Sequence, residues 1–91
     1  VDGIDVLWLG HFDLTNFLGI SGDFANPVYD KAVKRIVAAG RAHKKGLGFM
    51  AASAEWARDY KALGFNMLAA GTDQALLAAG VRNVLAGAEA R

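Results

Sequence analysis

Cysteine is absent from this 91-residue chain, and proline occurs once. Without a thiol there is no disulfide scaffold, no thiolate metal site and no cysteine nucleophile. Charge of one sign is also lacking. Ten Lys and Arg stand against nine Asp and Glu, a formal +1 at pH 7. A field that weak does not draw in nucleic acid or an anionic membrane surface. No apolar run reaches the roughly 18 residues that span a bilayer. The opening Val1-Asp2-Gly3-Ile4-Asp5 lacks the basic-then-apolar order of a secretory signal. It does not start with Met, so Val1 reads as a cut site and the chain as a piece of something longer. A cytoplasmic location is the expectation. What is present is core material: 54% apolar residues with 21% charged. That suits one small globular domain rather than two domains or a disordered tail.

Element types alternate along the chain. Ile4–Leu9 is a short apolar run ended by Gly10 and reads as a buried strand. His11–Gly19 reads as a loop with at most one helical turn, in which Asp13 could cap Leu14-Thr15-Asn16-Phe17. Asn26 and Pro27 suit the start of an amphipathic helix. Val28, Ala32, Ile36 and Ala39 take one face and Lys31, Lys34, Arg35 and Arg41 the other. This helix is expected to close in Lys44-Lys45, with Gly46 as its stop. Leu47–Ala51 is the second strand. Ser53 caps a helix over Ala54–Leu63, which Gly64 ends. Phe65–Ala70 is the third strand, and Thr72 or Asp73 caps a last helix running to about Ala86 or Glu89. The fold class is therefore α/β, with strands paired in parallel through right-handed crossovers. The strands are apolar at nearly every position, so both faces of the sheet call for cover. A lone sheet with helices on one side does not supply it. A segment of a (β/α)₈ barrel does.

Ligands in such folds bind at the C-terminal ends of the strands. Three segments lie there: Gly10-His11-Phe12-Asp13, Ala51-Ala52-Ser53 and Gly71-Thr72-Asp73. In the first, Gly10 allows close approach of a ligand. N–H groups at a helix start suit a carboxylate or phosphate, and Asp13 is a hard oxygen donor for Mg²⁺ or Mn²⁺. The simpler reading of Asp13 is a helix cap, and of His11 a hydrogen-bonded loop residue. His43 reads as a complement to a helix dipole, and Arg41, Lys44 and Lys45 as a solvated helix end. Trp8 is expected in the core. Trp56 and Tyr60 read as a packing pair on one helix face. Of Phe49 and Met50, one should point inward and the other outward. No Ser-His-Asp set, paired histidines or zinc spacing is present, and no glycine-rich strand-to-helix loop supports a nucleotide site.

The run Val1–Thr15 resembles a segment of the HpcH/HpaI aldolases, the class II, metal-dependent pyruvate aldolases grouped with citrate-lyase-type enzymes. The likeness continues through Leu18–Phe24 to Pro27. It resumes at Gly48–Ala51, Tyr60–Phe65 and Ala70–Asp73 with Leu76-Leu77. The resemblance implies a (β/α)₈ TIM barrel, of which residues 1–91 are the last three βα units. It implies a lyase that cleaves a 4-hydroxy-2-oxo acid to pyruvate, or a related 2-oxo acid, and an aldehyde. It makes Asp13 one of two carboxylate ligands of a divalent metal (Mg²⁺, Mn²⁺ or Co²⁺). It has Gly10 and the N–H groups of Phe12 and Asp13 hold the substrate carboxylate, and Met50 meet the aldehyde end. The family's second carboxylate, histidine base and arginine fall outside the segment, so no catalytic residue is assigned within it and the isolated chain is expected to be inactive. A homo-oligomer is implied, with no nucleic-acid or membrane partner. Where the family commonly has Pro and a small residue before this Asp, the chain has His11 and Phe12. A non-catalytic, self-associating α/β module is the alternative.

Overall fold

Three short strands, each followed by a helix, make up most of the fold. In the computed structural model, which describes residues 1–89, the order is β1 (Val6–Leu9), α1 (His11–Phe17), α2 (Pro27–Ala42), β2 (Gly46–Met50), α3 (Ala54–Leu63), β3 (Met67–Ala69) and α4 (Asp73–Glu89). The strands form one parallel sheet in the order β1-β2-β3. The α/β class and the three expected βα units are both present. No described helix is long and apolar enough to cross a membrane.

Side chains alternate across a strand, and laterally paired residues of a parallel sheet share a face. The register Leu9↔Phe49↔Leu68 therefore marks one face, and Trp8↔Gly48↔Met67 the other. The first face meets the helices. There Leu9, Leu47, Phe49 and Phe65 join Tyr29, Val33, Val37 and Tyr60 in a single buried cluster. Phe49 is fully buried and stacks on Tyr60 with ring centroids 3.8 Å apart. The hydroxyls of Tyr29 and Tyr60 share a hydrogen bond above it. Burial and that bond push the Tyr29 hydroxyl far above its usual range. Trp56 stacks on Tyr60 at 5.8 Å, as the packing pair requires.

No described helix covers the second face. Trp8, expected in the core, is therefore half exposed. Leu9 takes the covered side, and alternation leaves Trp8 on the side that a closed barrel would turn inward. Phe49 and Met50 divide as expected, Phe49 covered and Met50 38% exposed.

Three helix starts follow their local chemistry. The Asn26 side chain accepts from the Val28 N–H (2.9 Å), Ser53 from Trp56 (3.2 Å) and Thr72 from Ala75 (3.2 Å). The end of α2 departs from expectation. It stops at Ala42, and Gly46 already belongs to β2. Lys44 itself turns left-handed (φ 53°), while the Lys45 N–H donates to the Gly40 carbonyl at 2.8 Å and the Lys44 N–H to Arg41 at 3.3 Å. This is the Schellman arrangement with lysine where glycine is usual. Gly64 does the same for α3 at φ 114°. Lys44→Gly is therefore expected to raise the unfolding free energy by about 1 kcal/mol, read from a urea transition.

The third strand starts later than Phe65. That residue closes the α3 turn by donating to the Tyr60 carbonyl (3.0 Å), and its ring enters the core. Asn66 then bridges to β2: its side chain accepts from the Leu47 N–H and its own N–H donates to the Leu47 carbonyl, both at 3.0 Å. Ile4 and Asp5, at the other predicted margin, precede the paired part of β1. Helix α2 lies tight on β2 at Gly40, where a Cβ would come within 2.7 Å of Leu47 Cδ2. Alanine would gain about 1 kcal/mol of helix propensity there but force Leu47 out of its place. Gly40→Ala is expected to destabilise by about 1–2 kcal/mol net, visible as a lower denaturation midpoint.

Helix α4 stands apart from this core. None of its described residues is buried, and Leu76, Leu77, Val81, Val84 and Leu85 are all more than half exposed.

Candidate functional site

At the C-terminal end of β1 the chain passes through Gly10 directly into α1. The seven-residue helix starts earlier than the single turn expected over residues 14–17, and this changes the meaning of Asp13. The helix begins at His11, so Asp13 sits inside the first turn rather than ahead of it, and no side chain caps this end. The cap reading of Asp13 is thereby overturned. The Asp13 carboxylate curls back over Gly10, where a Cβ would meet Oδ2 at 3.3 Å. Gly10 has an ordinary φ of −88°, so what glycine supplies is room, not a special backbone conformation. The first intrahelical bond is Leu14 N–H to the Gly10 carbonyl at 2.8 Å. The N–H groups of His11, Phe12 and Asp13 are left without intrahelical acceptors, as in any first turn.

Two buried residues fix this turn in place. Thr15 is fully buried. Its hydroxyl lies 3.0 Å from the carbonyls of His11 and Phe12 and accepts from the Gly22 N–H at 3.1 Å. It ties α1 to the loop that follows. His11 is not a hydrogen-bonded loop residue. Its ring is packed among Phe12, Phe24, Phe49 and Trp56 at centroid distances of 4.8, 5.2, 4.7 and 5.3 Å. Burial disfavours the imidazolium and lowers its pKa, so the ring is neutral at pH 7. It plugs the start of α1 into the aromatic core. Neither role had a local signal. A Thr at this spacing is unremarkable, and three of the four rings around His11, those of Phe24, Phe49 and Trp56, come from other parts of the chain.

Gly10, Phe12, Asp13 and Met50 line one cavity of about 230 Å³, together with Trp8, Leu9 and His11. The four residues singled out from sequence are thus brought together from the ends of two strands and the first turn of α1. Asp13 is the only acidic group among them. No three or more of His, Cys, Asp and Glu come together among the described residues. Ala51-Ala52-Ser53 borders a separate, mainly apolar cavity of about 330 Å³ with Leu68 and Leu76. Thr72 and Asp73 are spent on the start of α4, their side chains accepting from Ala75 and Gln74. His43 ends α2, and Arg41 donates to the Leu63 carbonyl at 3.3 Å.

No family model matches the chain. Among curated proteins, the 4-hydroxy-2-oxo-heptane-1,7-dioate aldolase of Salmonella arizonae is 34% identical over 86 residues, 94% of this chain and 33% of that protein. Among solved structures, an HpcH/HpaI aldolase/citrate lyase family protein from Burkholderia cenocepacia superposes with a TM-score of 0.91 at 30% identity. The match covers 97% of this chain and 34% of that one. Over nearly its whole length the chain matches HpcH/HpaI aldolase family proteins in sequence and in fold. An HpcH/HpaI aldolase from Desulfitobacterium hafniense gives a TM-score of 0.77 at 29% identity over 92% of this chain. A citrate synthase at 24% identity shares the fold, with a TM-score of 0.78. The chain spans about a third of the length of the curated relatives it matches. Its open sheet face corresponds to the part of a TIM barrel that the remaining strands enclose.

Proposed function

We propose that residues 1–91 supply one wall of the active site of a metal-dependent pyruvate aldolase of the HpcH/HpaI family, a cytoplasmic enzyme that cleaves a 4-hydroxy-2-oxo acid to pyruvate and an aldehyde. The observation that carries this reading is the cavity at the end of β1. Gly10, Phe12, Asp13 and Met50 share it, and the Asp13 carboxylate serves no cap.

Asp13 fits a hard divalent cation such as Mg²⁺, Mn²⁺ or Co²⁺, being an exposed carboxylate on a braced helix turn. One carboxylate does not make a cage, so the segment holds part of the site and the other ligands come from the rest of the barrel. A cation bound there supplies a Lewis acid that draws negative charge onto the keto oxygen of the substrate. The chain's own groups position that substrate. The N–H groups of Phe12 and Asp13, which have no intrahelical acceptor, suit the 2-oxo acid carboxylate. Met50 flanks the aldehyde end. In the cleavage the C3–C4 bond breaks, its electron pair goes to the pyruvate carbon and the C4 hydroxyl loses its proton to a base outside this segment.

The same reading makes the protein a homo-oligomer, because α4 presents five large apolar side chains that its own core does not cover. A self-associating module without catalysis rests on that feature too. The two are separated by joining residues 1–91 to the remaining two-thirds of the Salmonella arizonae aldolase. This hybrid is expected to exchange the methyl protons of pyruvate in deuterated buffer and to stop when the metal is chelated. A folded hybrid without exchange would overturn the aldolase reading. The 91-residue chain by itself is expected to give none.

A further inference from the structure

Trp8 is a large aromatic residue inside a strand, yet half of it is exposed. Its ring lies across Gly48, and no Cβ fits beneath it. Glycine at that one place in β2 makes room for the indole on the uncovered face of the sheet. On that face the ring borders the same cavity as Met50 and Asp13. Phe12 lines the same cavity, 63% exposed, yet edge-on to Phe24 at 5.1 Å. Two braced aromatic rings and a methionine thus border a pocket whose only charged lining group, among the described residues, is a carboxylate.

We propose that Trp8, with Phe12, is the specificity-determining wall of this site, selecting an aldehyde with an uncharged apolar chain over one bearing a carboxylate. An anionic tail would lie against indole and phenyl rings, and no lysine or arginine among the described residues lines this cavity to pair it. An alkyl tail covers those rings instead. This rests on the aldolase reading above. It also contrasts with the dioate named for the Salmonella relative, whose cleavage at C3–C4 leaves a four-carbon aldehyde with a terminal carboxylate.

The test compares butanal with succinate semialdehyde, two four-carbon acceptors that differ in the terminal carboxylate, in aldol addition to pyruvate by the hybrid barrel. With the native segment, kcat/KM is expected to favour butanal by about tenfold or more. Trp8→Ala should lower that ratio by about tenfold through KM, Phe12→Ala should lower it less, and Trp8→Phe should retain it. Because both acceptors are measured on one preparation, partial misfolding of a variant cancels from the ratio. A native preference for succinate semialdehyde, or a ratio that Trp8→Ala leaves unchanged, overturns the proposal. Pyruvate methyl exchange, which needs no acceptor, separates the two failures. Exchange with unaltered selectivity sinks only the role of Trp8, and absence of exchange sinks the aldolase reading and this inference together.

Discussion

Asp13→Asn is expected to lower metal-dependent turnover of the completed barrel by more than about 100-fold, while its melting temperature stays within a degree or two. Loss of a residue that merely orients a metal ligand costs about 10–100-fold in metal affinity or activity, so loss of a ligand costs more. Asparagine keeps the size and one oxygen of the side chain but removes the charge that a hard cation needs. The structural cost is small because Asp13 is exposed and caps no helix. The turn that carries it is held by Thr15 and His11, which the substitution leaves alone. The check is paired: kcat/KM across a metal titration, and thermal unfolding of the same preparations. A drop in both would mean that Asp13 acts on the fold. A drop in neither would remove it from the site.

Phe49→Ala is expected to destabilise the chain by about 3–5 kcal/mol, enough to abolish cooperative unfolding in a domain of this size. Phe49 has no exposed surface and meets His11, Trp56, Tyr60 and Phe65, so it joins β2 to α1, α3 and the turn before β3. Alanine leaves a void that four rings cannot fill without giving up their mutual contacts. Phe49→Leu keeps most of the volume and is expected to cost less than half as much. Urea transitions of the three proteins, followed by far-UV circular dichroism, would show the order. Equal midpoints for Phe49 and Phe49→Ala would mean that the aromatic cluster does not hold the sheet to its helices.

What the sequence reveals here is mostly local. Asn26, Ser53 and Thr72 cap the helices assigned to them because a cap depends on a side chain and an N–H two or three residues away. The alternation of Phe49 and Met50 is local as well. Non-local relations were missed. Alternation separates Trp8 from Leu9 but does not say which face the helices cover. Only the second turn of α1, residues 14–17, is legible in the sequence, because the first turn has no side-chain cap and is braced instead by Thr15 and His11. Lys44 in a left-handed turn gives no composition signal, whereas Gly64 in the same role does. Met50 and Asp13 border one cavity because β1 and β2 pair in parallel, which spacing alone does not give. Their grouping was legible only through family resemblance, and the structure reaches the same cavity from packing.

The most direct measurement is a calorimetric titration of Mn²⁺, in the presence of the pyruvate analogue oxamate, into the hybrid barrel with Asp13 or with Asp13→Ala. Sub-millimolar binding with the native segment, lost with alanine while the barrel stays folded, is the predicted result. Equal affinity for the two proteins would contradict the assignment of Asp13, and with it the claim that this segment carries part of the metal site.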